Sequence, residues 1–594
     1  MNQVLEIERC DLNIKNNNSS HHTDLNGEER LIVRRGEPFN IILHLKPGSK
    51  EFKLDESSFT FIVETGPLPR KESDTQVSFN LCNSTVDTEW SASAINNPSE
   101  NTLCVYINSS PNSPIGVYSL SLDQEGQKTH LGQFTLLFNA WCPRDAVYMH
   151  NERKRKEYVL SQHGQIYKGT YKRIKGTPWN FGQFESGILD ICLKILDENP
   201  KFVSDADKDC SARRNPIYVT RVLSAMINSN DDRGVLVGEW YDFSGGVHPG
   251  AWIGSGDILH KWAESGPVRY GQCWVFAALA CTVSRALGIP CRVVTNFRSA
   301  HDTDANLVIE NLYNDNAEKI SSDSIWNFHV WVDSWMTRPD LGPEYDGWQT
   351  SDPTPQEPSD GVFCCGPASL RAIKEGELTK KYDTPFIFAE VNADVVDMLH
   401  LSNGEVIRFS GSTKSVGCFI STKAVGSDER HDITHQYKYP EGGAVLCGIG
   451  THITYCTLIT SDRLIQLSAF AFDKQTIDYS KTEKTIVLDE PDIDIKLMGD
   501  ATVNQPVTAN LTLLNPLPEQ LQDCSFTIEG VGLTDGKPIT VKTGAVGPKE
   551  EAKASVEFSP SSSGSTVLLV NFDSNKLSNI KSFVNVVVKE GETN

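Results

Sequence analysis

The stretch richest in chemistry is Gly271-Gln-Cys273-Trp-Val-Phe-Ala-Ala-Leu-Ala-Cys-Thr-Val-Ser-Arg-Ala-Leu-Gly288-Ile-Pro290. Phe276, Leu279, Ala280, Val283 and Leu287 recur at i, i+3, i+4 spacing, which predicts a helix from Trp274 onward. Gly288 and Pro290 stop it. Cys273 then stands at the helix N-terminus, where free N–H groups and the helix dipole favour a thiolate, the nucleophilic form of cysteine. The alternative is a buried, inert thiol, which is the reading given to Cys192, Cys281 and Cys291.

A thiol nucleophile needs a base beside it, and an orienting group behind that base. Trp326-Asn-Phe-His329-Val-Trp-Val-Asp-Ser-Trp335 alternates as a strand. His329, Trp331, Asp333 and Trp335 share one face; Phe328, Val330 and Val332 share the other. After a loop, Gly347-Trp-Gln-Thr-Ser-Asp352-Pro returns as a neighbouring strand, and that hairpin brings Asp352 within reach of His329. Cysteine on a helix, with histidine and aspartate following on strands, is the papain-like order. The alternative makes His329 a hydrogen-bonded surface residue and Asp352 a turn residue before Pro353.

The elements around these residues change character along the chain. Residues 1–138 read as a β-sandwich, from short apolar runs such as Leu31-Ile-Val, Phe39-Asn-Ile-Ile-Leu and Val117-Tyr-Ser-Leu-Ser-Leu separated by turn clusters. Residues 139–442 mix helices and strands and form an α+β core. Residues 491–594 return to β, with runs such as Val507-Thr-Ala-Asn-Leu-Thr-Leu-Leu. The intervening 443–490 is strand-like but about half the length of an ordinary sandwich domain.

Composition narrows the function classes. The 594 residues carry 55 Lys+Arg against 77 Asp+Glu, a net charge of −22, which argues against nucleic acid or an anionic membrane as partner. The first residues lack a basic n-region and an apolar h-region, so no secretory signal is expected. The 15 cysteines form no repeating framework, and reduced thiols in the cytoplasm are the expectation.

Longer motifs carry a resemblance. Tyr270-Gly-Gln-Cys-Trp-Val-Phe-Ala, Trp326-Asn-Phe-His-Val-Trp and Asp352-Pro-Thr-Pro-Gln-Glu resemble the active-site signatures of animal transglutaminases. Phe138-Asn-Ala-Trp-Cys-Pro, Pro178-Trp-Asn-Phe-Gly-Gln-Phe and Phe388-Ala-Glu-Val-Asn-Ala-Asp extend the likeness over nearly the whole chain. The resemblance implies a sandwich, a papain-like transglutaminase core and two C-terminal β-barrels, with most of the first barrel missing at 443–490.

The activity implied is calcium-dependent acyl transfer from a protein glutamine, through a thioester, to a lysine or polyamine. Cys273, His329 and Asp352 carry over as the catalytic residues, Trp240 as an oxyanion donor and Trp326 as a wall of the substrate tunnel. Rival readings keep the same residues in a glutamine-deamidating hydrolase, or make the chain a scaffold or adhesion form.

Calcium ligands are implied in three places. Asp302, Asp304 and Asn306, with Asp323, match one family loop; Asn228, Asn230 and Asp232 match a second. Oxygen-rich, odd-spaced runs of this kind suit a hard cation, although neither is an EF-hand. A third site matches Asn392, Asp394 and Glu441, but its further glutamate falls where the likeness stops. Lys172 matches a lysine of the family's inhibitory guanine-nucleotide pocket. Its neighbour Arg173 replaces the stacking phenylalanine, and later positions read Lys484 and Val487, so GTP binding is not expected. Cys364 and Cys365 match a redox pair whose third cysteine is Ser229 here, and two reduced thiols are the preferred reading. Family partners would be proteins with accessible Gln and Lys, polyamines and extracellular-matrix proteins, the last through leaderless export.

Overall fold

Alternation in the first third of the chain builds two stacked sheets. The computed structural model describes residues 5–46, 59–316, 318–439, 464–473, 478–487, 490–534 and 536–591. One sheet orders Ile7–Asp11, Phe39–Leu45, Thr102–Asn108 and Ser91–Asn97; the other orders Leu31–Arg34, Gln127–Leu137, Gly116–Gln124, Phe59–Thr65 and Gln76–Asn80. Phe39–Leu45 shows the cause, because every second residue is buried. The sandwich is not purely β. Ile14–Ser20 is a helix, held by the buried amides of Asn17, which donates to Leu12 O and Asn40 O, and Asn18, which donates to Gly27 O and Arg30 O. The bond from Asn17 to Asn40 O reaches across 23 residues, so local propensity gives no sign of it.

The core is organised by a six-stranded antiparallel sheet in the order Ala368–Ser369, Gly347–Ser351, Ser324–Met336, Cys291–His301, Cys418–Lys423, Arg430–Asp432. Phe328, Val330 and Val332 join the largest apolar cluster, together with the helix Cys273–Ala286. Trp331 faces a separate cluster with Ile387, Val391 and Tyr437. With both faces covered, seven consecutive residues from Phe328 to Ser334 are buried.

The C-terminal unit is again two sheets. It docks on the core through Ile253, Val567 and Leu569, and Lys581 Nζ donates to Trp252 O at 2.5 Å. Burial pulls Lys581 down to about 7 and pushes Glu529, at the same contact, up to about 8. Of the 443–490 stretch, Leu464–Asp473 and Asp478–Val487 pair as an antiparallel hairpin. Residues 443–463, 474–477, 488 and 489, and the expected calcium ligand Glu441, lie outside the described residues.

A buried ion pair ties the sandwich to the core. Arg35 grips Asp145 with two bonds, Nε to Oδ2 at 2.6 Å and an Nη2 bond to Oδ1 at 2.8 Å, and both side chains are sealed from water. Its remaining nitrogen donates to Ser113 O and Arg214 O. Asp145→Ala leaves an unpaired cation inside and is expected to cost about 3–5 kcal/mol. The check is the denaturant midpoint, and the double variant Arg35→Met/Asp145→Leu is expected to regain part of the loss.

Candidate active site

The helix that carries the thiol begins at Cys273 and ends at Ala286, and all fourteen of its residues are buried. Gln272 precedes it in an extended conformation and supplies no side-chain cap, so the first N–H groups of the helix stay available. At the other end Gly288 has φ +95°, and a Cβ there would lie 2.4 Å from Phe138 O. Glycine is required at that stop by both conformation and space. Cys273 is 3% exposed.

The expected hairpin is present. Val332 pairs with Ser351 and Asp333 with Thr350, which sets Asp352 just past the strand end beside His329. His329 Nε2 is 2.7 Å from Asp352 Oδ2, with both side chains 1% exposed. The carboxylate is anchored on its other side, since Asp352 Oδ1 accepts from Thr354 N at 2.9 Å. The backbone N–H of Asp352 donates to Cys365 O at 3.2 Å. Burial works to lower the imidazole pKa, but the Asp352 charge and hydrogen bond, with contributions from Cys273 and Glu390, hold it well above its ordinary value. The other ring nitrogen, Nδ1, is buried and makes no conventional hydrogen bond. His329 is therefore a buried, paired imidazole and not the surface residue of the alternative reading.

One tryptophan stands against the imidazole and a second stands against the first. Trp240 and Trp326 meet edge to face with centroids 6.1 Å apart, and Trp326 lies edge to face with His329 at 5.4 Å.

Sequence reasoning missed two side chains here. Glu390, 1% exposed, places Oε1 3.6 Å from His329 Nε2, and burial pushes its carboxyl up to about 8. The Gln356 amide lies between Glu390 and Asp352. The available signal was an acid among the apolar residues of the helix Thr384–Asn392.

The other expected residues fall into separate groups. The carboxylates of Asp302, Asp304 and Asp323 each have an oxygen within 4.8 Å of the others. Asp302 accepts from the backbone of Asp304, Asn306 and Leu307, which curls the loop around it. Desolvation and the neighbouring Asp302 and Asp323 carboxylates push Asp304 up. Asn392 ends the helix Thr384–Asn392, and Asp394 N donates to Leu307 O, so these two residues adjoin the same loop. Asn228 is buried, with Nδ2 donating to Phe363 O, whereas Asn230 is exposed. Burial pushes Asp232 up to about 6. Lys172 is exposed at the hairpin turn between His163–Thr170 and Arg173–Asn180. Cys364 and Cys365 are unpaired buried thiols, and burial pushes both up, the opposite of a reactive cysteine.

A thiol at a helix N-terminus beside a strand-borne imidazole and its aspartate puts the core in the papain-like class of thiol enzymes. Profiles described as "Transglutaminase family", "Transglutaminase-like superfamily" and "Transglutaminase family, C-terminal ig like domain" match residues 8–125, 256–353 and 491–590. Protein-glutamine gamma-glutamyltransferase 2 of Bos taurus is 42% identical over 687 aligned positions, covering 99% of this chain and 100% of the relative. The Homo sapiens protein of that name gives the same figures. Protein-glutamine gamma-glutamyltransferase 5 of Homo sapiens is 38% identical, covering 99% of each chain. The crystal structure of red sea bream transglutaminase superposes with a TM-score of 0.85 at 34% identity, covering 98% of this chain and 100% of that one. The chain belongs to the transglutaminase family of enzymes. Alignments longer than its 594 residues mean that the relatives carry segments it lacks.

Because Asp352 raises the folded-state pKa of His329, the pair contributes stability that is full below the unfolded value. That stability is lost as pH rises through the raised one. Asp352→Asn is expected to lower the thermal midpoint most between about pH 5 and about pH 6.5, and progressively less above. Calorimetry at stepped pH checks this.

Proposed function

We propose that the protein is a calcium-dependent transferase that joins protein glutamine side chains to lysine or polyamine amines. The observation that carries this reading is the sealed Cys273–His329–Asp352 set, with Trp326 against the imidazole and Trp240 against Trp326. The Cys273 sulfur attacks the glutamine γ-carboxamide carbon. The imidazolium of His329 gives its proton to the departing nitrogen, ammonia leaves, and a thioester remains. His329 then takes a proton from the incoming amine, whose nitrogen attacks the thioester carbonyl. The C–S bond breaks, the thiolate returns, and an isopeptide bond is made. Asp352 holds Nε2, and with it the tautomer that leaves Nδ1 for proton transfer. The Cys273 backbone N–H and the Trp240 indole N–H are the proposed oxyanion donors. Apolar walls favour the amine over water, which would otherwise hydrolyse the thioester to glutamate.

Calcium fits the gathered carboxylates of Asp302, Asp304 and Asp323, whose mutual repulsion a divalent cation relieves. Asn306 is an adjacent oxygen donor. Asn228, Asn230 and Asp232 form a second proposed site. Asn392 and Asp394 form part of a third. Bound calcium would neutralise these loops, and no step above passes through it. Lys172, exposed on its turn, is not assigned to a nucleotide site in this reading. The unpaired thiols of the described cysteines support a reducing compartment such as the cytoplasm.

Incorporation of a labelled primary amine into casein tests the proposal. Label transfer is expected with calcium, with none after chelation or in Cys273→Ala. His329→Ala is expected to lose on the order of 10²–10⁴-fold in rate. A one-unit mass gain on glutamine without amine adduct would favour the hydrolase reading, and no transfer by monodisperse wild-type protein would defeat the proposal. In Asp302→Asn/Asp304→Asn, half-maximal activity is expected to need about tenfold more calcium.

A further inference from the structure

Behind the histidine–aspartate pair lies an arrangement that the acyl-transfer steps do not use. Gln356 is four residues past Asp352. Its Nε2 donates to Asp352 Oδ2 at 2.7 Å and to Glu390 Oε1 at 2.8 Å, and lies 3.1 Å from His329 Nε2. An amide nitrogen has two hydrogens, so both are committed, one to the Asp352 carboxylate and one to the Glu390 carboxyl oxygen. The amide's own oxygen in that position would face the Asp352 carboxylate, which only accepts, so the NH₂ group has to point inward. Asp352 Oδ2 thus receives two donors, the imidazole and the amide, while Oδ1 holds Thr354 N.

Glu390 is fixed from behind. Its backbone carbonyl accepts from Asn296 Nδ2 at 2.9 Å, and Asn296 is the cross-strand partner of His329. The strand neighbour of the imidazole therefore positions the far end of the chain of bonds. Glu390 Oε2 is buried without a hydrogen-bond partner among the described residues. A carboxyl oxygen left unsatisfied in the interior costs stability, and a well-packed apolar residue on that helix would avoid the cost.

We propose that Glu390 is a positioning residue for the catalytic set, acting through the Gln356 amide to fix the Asp352 carboxylate against His329. It touches no reacting atom. Without it, Gln356 loses its second anchor and Asp352 gains a rotational freedom that its imidazole partner follows. Misplacement of a general base by about 1 Å costs on the order of 10²-fold. The inference rests on the thiol mechanism proposed above, but not on the identity of the acyl acceptor.

Two readouts on the full chain at saturating calcium test it. One is amine incorporation; the other is alkylation of Cys273 by iodoacetamide, followed by mass spectrometry of its peptide. In Glu390→Ala and Gln356→Leu, both kcat and the alkylation rate at neutral pH are expected to fall about tenfold or more, with KM for the glutamine donor within about twofold of wild type. Glu390→Gln keeps an acceptor oxygen for Gln356 and its shape, and is expected to recover most of the loss. Because the two residues act in series, Glu390→Ala/Gln356→Leu is expected to be no slower than the slower single variant. The proposal is overturned if the double losses multiply, if Glu390→Gln is as impaired as Glu390→Ala, or if KM rises while kcat holds. It is equally overturned if Glu390→Gln folds with native stability and Glu390→Ala alkylates at the wild-type rate. Wild-type protein that alkylates normally but transfers no amine would sink the transferase reading, and the alkylation data would still decide this one.

Discussion

The structure depends on a 2.7 Å bond between two side chains that water does not reach, His329 and Asp352. Burying an imidazole and a carboxylate separately would cost several kcal/mol each. Together, and with the aspartate also held by Thr354 and Gln356, they remain an ion pair inside the protein. The surrounding fold meets the conditions for this. The histidine strand is central in its sheet, the aspartate lies just past the adjoining strand, and both sheet faces are covered. The same burial that makes the pair expensive keeps its field strong and its geometry single.

Much of this was legible in the residues. The apolar period after Cys273 marked a helix that begins at that residue, and the alternation around His329 marked a strand. The apolar partners Phe328, Val330 and Val332 pack as their parity indicated. The hairpin that delivers Asp352 followed from two β-rich runs with turn residues between them. Other features were not legible, for one shared reason. Glu390, Gln356, Asn17 and Asn18 act through bonds to residues distant in the sequence, and neither period nor propensity encodes such bonds. A buried acid in an apolar helix was the one trace Glu390 left.

The charged residues also change meaning once placed. Some of the acidic excess is concentrated where carboxylates crowd one another, as at Asp302, Asp304 and Asp323. There desolvation and the neighbouring carboxylates disfavour the charged form of Asp304, while, against desolvation, hydrogen bonds from Glu310 and Thr303 hold Asp323 down. Cys364 and Cys365 are a second case. Adjacent in sequence, with Cys365 O accepting from the Asp352 N–H, both have their thiols pushed up by burial, which disfavours the thiolate. Proximity to the active site does not make a thiol reactive.

The junction between sandwich and core bears on how the molecule can be dissected. The topological boundary falls near residue 138, yet Phe138 belongs to the core's own apolar cluster and its N–H donates to Leu287 O, at the end of the helix Cys273–Ala286. Arg34 donates to Phe138 O, and Arg35 stacks over the Phe138 ring while gripping Asp145. A fragment begun at residue 139 would therefore not be a liberated catalytic module. It would expose an apolar socket, strand an aspartate without its cation and unpin the C-terminal end of the helix that presents Cys273. The two units are separable on a diagram and continuous as a solid.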